Sequence, residues 1–332
     1  MTSLEDLRHL LSIFHPPWKR PREEQDPSCF ILNLPVELIC LIADSLNSVD
    51  LALLTLTCCS LRLIFQEHTN ASRLYTLDRL LFLTTRARGL PNKWVCGKCM
   101  KLHPIVKYDT PAATHHVSSC PTGWITEYGR PYLGEPRRDI HRKVCIDDHH
   151  TQLALKYARL KDRKYDSYFQ DLMAPYHNTL YGPTSAIRLQ AHYSAYPRIV
   201  PGHDGKLRYM LHSTWRYYKG SNNIIALGNI GTQVICSHLD VNSRAGRKRR
   251  RGPPWNVLEA AVQEEIETRG DGQERTGVCA CCGTDFAVRL TSEHLDIHVW
   301  QDYGPEGIPA NLKWRTHIIR PFIHGSRHCN RS

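Results

Sequence analysis

Between positions 34 and 65, apolar residues recur at helical spacing in three consecutive runs, each with its own start signal. Pro35 suits the first position of a helix, where a missing N–H costs nothing, and Glu37 falls in the first turn, facing the positive end of the helix dipole. Leu38, Ile39, Ile42 and Leu46 continue that stripe. Asp50 is the expected N-cap of a second helix carrying Leu51, Leu54 and Cys58, and Leu61, Ile64 and Phe65 supply a third. Leu41, Leu53 and Leu56 lie off the stripes, so the segment is apolar on more than one side. Domains below about 40 residues usually need outside support, so this pattern predicts a docking module that leans on a partner.

Further along, Leu74, Leu77, Leu80 and Leu81 predict a helix over 70–88, stopped by Gly89-Leu90-Pro91-Asn92 and expected to pack behind the first three. From Trp94 onward cysteine, histidine, glycine and proline dominate, the texture of metal-braced loops. Helical spacing returns between 140 and 173 through Leu153, Leu155, Tyr157, Ala158 and Leu160. Leu207, Tyr209, Leu211, Ser213, Trp215 and Tyr217 then alternate with Arg208, Met210, His212, Thr214, Arg216 and Tyr218, as in a half-buried strand. Ile224 to Ile235 reads as another strand or two, broken at Gly228 and Gly231, and Trp255 to Glu267 as a helix burying Leu258, Ala261, Val262 and Ile266. Phe286, Val288 and Leu290 with Leu295, Ile297 and Val299 read as a hairpin. The class is α+β: an N-terminal segment and linker (1–28), three helices (29–68), a helical extension (69–93) and an irregular mixed domain with antiparallel strands (94–325).

Net charge changes this picture at one place. Of a formal +11, five charges sit in Arg247-Lys248-Arg249-Arg250-Arg251, inside a Ser/Gly/Pro-rich basic loop at 243–254. This run resembles a nuclear-localisation stretch, could also touch phosphates without sequence preference, and is equally compatible with a plain solvated loop. No apolar run approaches the roughly 18 residues of a membrane span, and Met1 to Phe14 carries Glu5, Asp6, Arg8 and His9 where a signal peptide has an apolar core. The expectation is an intracellular protein, nuclear or cytoplasmic, without a membrane partner. Its thirteen cysteines then read as thiols or metal ligands rather than disulfides.

Two cysteine groupings carry candidate chemistry. Cys96-x-x-Cys99-x-x-x-His103 has knuckle spacing, with Cys120 as the fourth ligand and His115 or His116 as substitutes. Cys236-x-His238 places two ligands on one side of a strand, and Cys279-x-x-Cys282 forms a second knuckle, followed by Gly283 and containing Cys281 as a substitute. Both sets of four would be structural zinc sites with no open position. His141, Cys145 and His149, and His324, His328 and Cys329, are weaker groupings. There is no Gly-x-Ser-x-Gly elbow, P-loop, Gly-x-Gly-x-x-Gly or His-Glu-x-x-His, so the sequence reads as a non-enzyme.

The pattern Leu34-Pro35-x-Glu37-Leu38-Ile39-x-x-Ile42, Leu46, Asp50-Leu51-x-x-Leu54, Cys58 and Leu61-Arg62 resembles an F-box, although Cys59 stands where that family usually has Arg or Lys. The order of this motif, the Cys96–His103 knuckle, the Ile235-Cys236-x-His238-Leu239 strand and Cys279 to Phe286 is similar to a group of fungal F-box proteins. Their tails resemble Val299 to Gly304 and Lys313-Trp314-Arg315-x-His317. The resemblance implies that Leu34, Pro35, Leu38, Ile39, Ile42, Leu46, Asp50, Leu51, Leu54, Cys58 and Leu61 bind a Skp-type linker protein and, through it, a cullin. The chain would then be the substrate-recognition adaptor of a cullin-based ubiquitin ligase, with residues 94–325 presenting the recognition surface. Two alternatives stay open. One is a nuclear zinc-binding protein contacting nucleic acid through its basic loop and the aromatic strand residues Tyr209, Trp215, Tyr217 and Tyr218. The other is an F-box scaffold acting outside any ligase.

Overall fold

A computed structural model describes residues 30–65, 74–112, 120, 146–181, 189–219, 225–230, 233–236, 238–241, 257–270 and 272–309. They fall into two compact units, divided between residues 71 and 72. The N-terminal segment, the basic loop, His115, His116, His141, Cys145, His324, His328, Cys329 and Lys313 to His317 lie outside the described residues.

In the first unit a 3-10 turn (Phe30–Asn33) leads into α1 (Val36–Asp44), α2 (Ser48–Leu54) and α3 (Cys59–Ile64). Three sequence expectations shift at the caps. Pro35 is the N-cap of α1 rather than its first residue, because its ψ of 144° is extended while its carbonyl already accepts from Leu38 and Ile39. Asn47 and not Asp50 caps α2: Asn47 Oδ1 accepts from the amides of Val49 (3.0 Å) and Asp50 (2.9 Å). Asp50 sits three residues in, and its carboxylate takes the Asn47 side-chain N–H at 2.6 Å. Only the forward half of a capping box is present, because Asp50 accepts from the Asn47 side chain and not from its backbone N–H. Cys58 caps α3, its sulfur accepting from the Leu61 amide at 3.4 Å. Ile39, Ala43, Leu61 and Phe65 form the small core, with Leu32, Leu51, Leu54, Cys58 and Ile64 packed on it.

The second unit opens with α4 (Thr76–Arg88), which packs Leu80 and Ala87 on Val95 of the hairpin β1 (Lys93–Cys96) and β2 (Lys101–Pro104). The helix expected to pack behind the N-terminal three is thus built into this unit. Helix α5 (Asp148–Leu160) is buried on every side from His149 to Tyr157, and α6 (Asp166–Leu172) follows it through a 3-10 turn. Of the helical pattern expected between 140 and 173, residues 140–145 lie outside the described residues; the described part is α5, which starts at Asp148 with Asp147 at its cap, and α6.

Strands β3 (Tyr176–Tyr181), β4 (Gln190–Pro201) and β5 (Leu207–Tyr218) join a six-stranded sheet. After the short α7 (Leu227–Ile230), β6 (Gln233–Val234), β7 (Asp240–Val241) and α8 (Val257–Glu267), the chain adds β8 (Arg275–Val278), β9 (Thr284–Leu290) and β10 (His294–Pro305). The order is β3-β4-β5-β10-β9-β8 and every pairing is antiparallel. The expected hairpin is β9–β10. The strands expected over Ile224 to Ile235 are instead a single helical turn and a two-residue strand. There the buried residues are Ile225, Ile230 and Ile235, a spacing of anchors along irregular chain and not the alternation a strand requires.

One sheet face forms the core. Tyr193 and Ala195 on β4, Tyr209 and Trp215 on β5, and Leu295 and Ile297 on β10 are buried there. The alternation read in β5 holds, but it places Tyr209, Trp215 and Tyr217 in the core, so three of the four aromatics expected to touch nucleic acid are inaccessible; Tyr218 alone is exposed. No helix among the described residues is long and apolar enough to cross a membrane.

Candidate metal centres and docking face

At the tip of the β1–β2 hairpin, Cys96, Cys99, His103 and Cys120 bring their ligand atoms within 4.8 Å of one another. The turn closes through Met100, whose amide donates to the Cys96 carbonyl at 2.9 Å and whose φ of 53° is left-handed. His103 comes back on β2 opposite Trp94, and its Nε2 lies 2.9 Å from Cys99 Sγ. Gly97 leaves room for Pro309, since a Cβ there would meet the Pro309 Cβ at 2.9 Å. Burial pushes the Cys96 thiol up to about 12, and burial with Lys101 and Lys93 nearby holds His103 below its ordinary value. A buried thiol that resists ionisation in isolation is stabilised as a thiolate by a bound cation.

The second centre gathers Cys236, His238, Cys279 and Cys282, again within 4.8 Å. Cys236 Sγ is 3.9 Å from Cys279 Sγ, and His238 Nδ1 is 3.6 Å from Cys279 Sγ and 4.0 Å from Cys236 Sγ. The thiol of Cys236 and the imidazole of His238 both favour a Cys279 thiolate: hydrogen bonding from Cys236 holds Cys279 far below its ordinary value. Contact with Cys279 lifts His238 to about 9. The knuckle is shaped by Cys279 N–H donating to Thr284 O and Thr284 N–H to Cys282 O, both at 2.8 Å. Gly283 serves close approach here, because a Cβ would meet Asp302 Cβ at 3.3 Å. On the other side, Gln301 Nε2 donates to Ile235 O at 2.7 Å and fixes the segment that carries Cys236. Cys281 stays out of the set because its sulfur is in a disulfide, against the expectation that the cysteines are all thiols or metal ligands; its amide donates to Cys279 Sγ at 3.4 Å. All eight ligands expected from the sequence are therefore brought together in the two sets of four.

A third buried group was not anticipated. Asp109 Oδ2 lies 3.0 Å from His149 Nε2, and Asp109 Oδ1 lies 3.1 Å from His150 Nε2. Asp147 N–H donates to His150 Nδ1 at 3.1 Å, so the His150 proton is on Nε2 and points at Asp109. That tautomer leaves His150 no lone pair for a metal, and the group is a hydrogen-bonded brace. Burial alone would raise Asp109, but hydrogen bonds from His149 and His150 outweigh it and hold the carboxyl far below its ordinary range. Burial likewise holds His150 below its ordinary value. The Trp94 ring lies 5.0 Å from His103 and 4.8 Å from His149, linking this brace to the first metal set. The available signal was Asp147-x-x-His150 at a helix start; of this group only His149, with His141 and Cys145, is read from the sequence.

The expected docking residues divide. Ile39 and Leu61 are buried in the first unit's own core, and Leu51, Leu54 and Cys58 pack against it, so these five hold the helices together. Leu34, Pro35, Leu38, Ile42 and Asp50 are exposed and Leu46 is half-buried. The same unit has further exposed apolar residues: Phe30 at 81 %, Leu41 and Leu63 at 64 %, with Val36 and Leu56. Exposure of this many large apolar side chains in so small a unit is unusual for a surface that meets only water.

Compared with known proteins, the chain matches no family model, no curated protein and no solved structure.

Proposed function

We propose that this chain is the substrate-recognition adaptor of a cullin-based ubiquitin ligase. The observation that carries the reading is the exposed apolar patch on the first unit, spread over Phe30, Leu34, Val36, Leu38, Leu41 and Ile42. The unit's buried apolar residues among those described are Ile39, Ala43, Val49, Ala52, Leu61 and Phe65, a small core to set against so many exposed apolar side chains, which favours a covering partner. The Leu-Pro-x-Glu-Leu-Ile spacing that resembles an F-box favours a Skp-type linker as that partner. The adaptor's contribution is positioning: it holds substrate near a ubiquitin donor at high effective concentration, and the chemistry is done elsewhere.

The metal we assign to both Cys/His sets is zinc. Zn–S bonds of about 2.3 Å and Zn–N bonds of about 2.1 Å at tetrahedral angles give ligand separations of roughly 3.8 Å and 3.6 Å. In the second set Cys236–Cys279 at 3.9 Å and His238–Cys279 at 3.6 Å fit these edges and His238–Cys236 at 4.0 Å is slightly long; in the first set His103 and Cys99, at 2.9 Å, would have to move apart to take the ion. Four protein ligands per ion make the role structural.

Capture of the linker by purified full-length chain, compared between the parent and a Leu34→Ala/Pro35→Ala double variant, tests the adaptor reading. Selective loss of linker and cullin is expected. Equal recovery overturns the reading, and linker capture without cullin points to a scaffold outside any ligase.

A further inference from the structure

The second face of the six-stranded sheet, turned away from the core, holds two histidines in direct contact. His212 on β5 lies opposite Trp300, and His298 on β10 lies opposite Thr214, so the two are diagonal neighbours across that strand pair. His212 Nε2 is 3.2 Å from His298 Nδ1. The ring centres are 5.5 Å apart and the planes 11° from parallel. That separation is the nitrogen contact plus the two ring radii, so the imidazoles meet end to end in almost one plane with a single proton between them. His298 Nδ1 has a second acceptor in reach, Thr214 Oγ1 at 3.3 Å. The Trp300 ring lies 5.1 Å from His212 at 6° between planes.

We propose that the His212–His298 pair is an acid-sensitive latch between β5 and β10, strengthened by one bound proton and opened by a second. The argument counts lone pairs. A neutral imidazole has one N–H and one lone pair, and the neutral pair spends one of each on its shared hydrogen bond. When His298 is the donor, its free lone pair is on Nε2, which faces Asp296 Oδ2 at 4.0 Å. A proton taken up there makes His298 an imidazolium that still donates to neutral His212, and the bond becomes charge-assisted. The next proton has only His212 Nε2 to occupy, the atom that accepts that bond. Its uptake removes the acceptor and sets two cationic N–H groups against each other. His298 Nδ1–H then turns to Thr214 Oγ1, and His212 leaves its place beside Trp300.

The surroundings set this order. On the same face stand His177 from β3, His192, Tyr196 and Arg198 from β4, and Arg208, Arg216 and Tyr218 from β5. β10 adds His294, Asp296 and Asp302, and β9 adds Asp285 and Arg289. Arg208 pairs with Asp302, and Arg216 holds Asp296 by hydrogen bonds of 2.8 and 2.7 Å, with His294 Nε2 at 3.3 Å from the same carboxylate. Burial, with His298 and Arg198 nearby, holds His212 below its ordinary value. The carboxylate thus lies on the His298 side and Arg198 acts against His212, so His298 takes the first proton. This inference concerns the second unit alone and does not rest on the adaptor reading.

The test follows the imidazole resonances of the full chain by NMR as pH falls, with His212 assigned by its loss in His212→Gln. His298→Gln removes the cation while keeping an amide that can turn to donate or accept, so its bond to His212 survives protonation. The His212 midpoint is expected to rise by about one to two pH units in that variant. Acrylamide quenching of Trp300, taken as the difference from Trp300→Phe in each background, reads the latch itself. It should increase in the parent as His212 takes its proton and stay flat in His298→Gln. Metal content measured at each pH and far-UV circular dichroism establish that the proteins compared are folded. A His212 midpoint indifferent to His298→Gln overturns the shared proton, and equal Trp300 quenching in parent and variant overturns the latch.

Discussion

The side-chain amide of Gln152 hydrogen-bonds both ways with the backbone of Val95: Val95 N–H donates to Oε1 at 3.1 Å and Nε2 donates to Val95 O at 3.0 Å. A side chain on α5 thereby stands in for a neighbouring strand on the hairpin that presents Cys96. Lys156, one turn along, donates to the carbonyls of Leu90 and Lys93, and Tyr157 to that of Pro91 at 3.0 Å. Gln152→Leu would leave a buried N–H and C=O without partners, at a cost of about 2–4 kcal/mol. Urea unfolding should register that loss, with faster release of metal from the first centre than from the second. Equal release from both would mean that the helix does not brace the hairpin.

Because each metal set is complete in itself, the two should be separable by mutation. Metal analysis of the purified parent is expected to give two zinc per chain. Cys99→Ser or Cys282→Ser should each lower the total by one while leaving the other site loaded. Loss of a structural zinc removes folding free energy outright, so each variant should also melt at lower temperature. A parent without metal removes the zinc assignment at both positions.

Much of this arrangement was legible because knuckle spacing is local. Cys96, Cys99 and His103 share one short hairpin, and Cys279 and Cys282 one turn, so their convergence is written in short-range sequence. The pairing of Cys236 with Cys279 was also readable, since Cys236-x-His238 offered the missing half. Asp109 was not legible: it is 40 residues from His149, and only tertiary packing of α5 brings it there. The ring stack of Tyr196, His212 and Trp300 was hidden for a related reason. The alternation along β5 showed that two faces exist, but not which of its aromatics point inward, and the partners Tyr196 and Trp300 are set by strand register. The helix caps failed more narrowly. Asn47 and Asp50 are both good caps, and only the geometry of the turn selects between them.

The Asp109 brace makes an acid-side prediction. Its carboxyl is depressed in the folded state, so its share of stability is complete above the ordinary value of 3.8 and is lost as pH falls below it. Asp109→Asn should destabilise the chain at neutral pH by about 2–3 kcal/mol, since an amide accepts at one oxygen only and turns an N–H toward one imidazole. The gap between parent and variant should then narrow as the pH drops below 3.8. Metal loss in acid is common to both proteins and cancels in the comparison. A gap that stays constant into strong acid would show that the carboxylate charge is not what the two histidines hold.

The division within the first unit yields a prediction that separates folding from docking. Ile39→Ala and Leu61→Ala remove side chains buried in its core and should cost about 2–5 kcal/mol each. A core this small cannot absorb that, so amide protection across α1, α2 and α3 should collapse in hydrogen exchange. Leu38→Glu and Ile42→Glu place a charge on exposed positions of the same helix, and should leave amide protection intact while abolishing capture of a Skp-type linker. Glutamate is the sharper probe than alanine, because an unpaired charge buried in an interface is costly whether or not the lost methyl contacts were. Capture that survives both glutamates would place the contact elsewhere on the unit, at Leu56 and Leu63, which the corresponding glutamate variants then test.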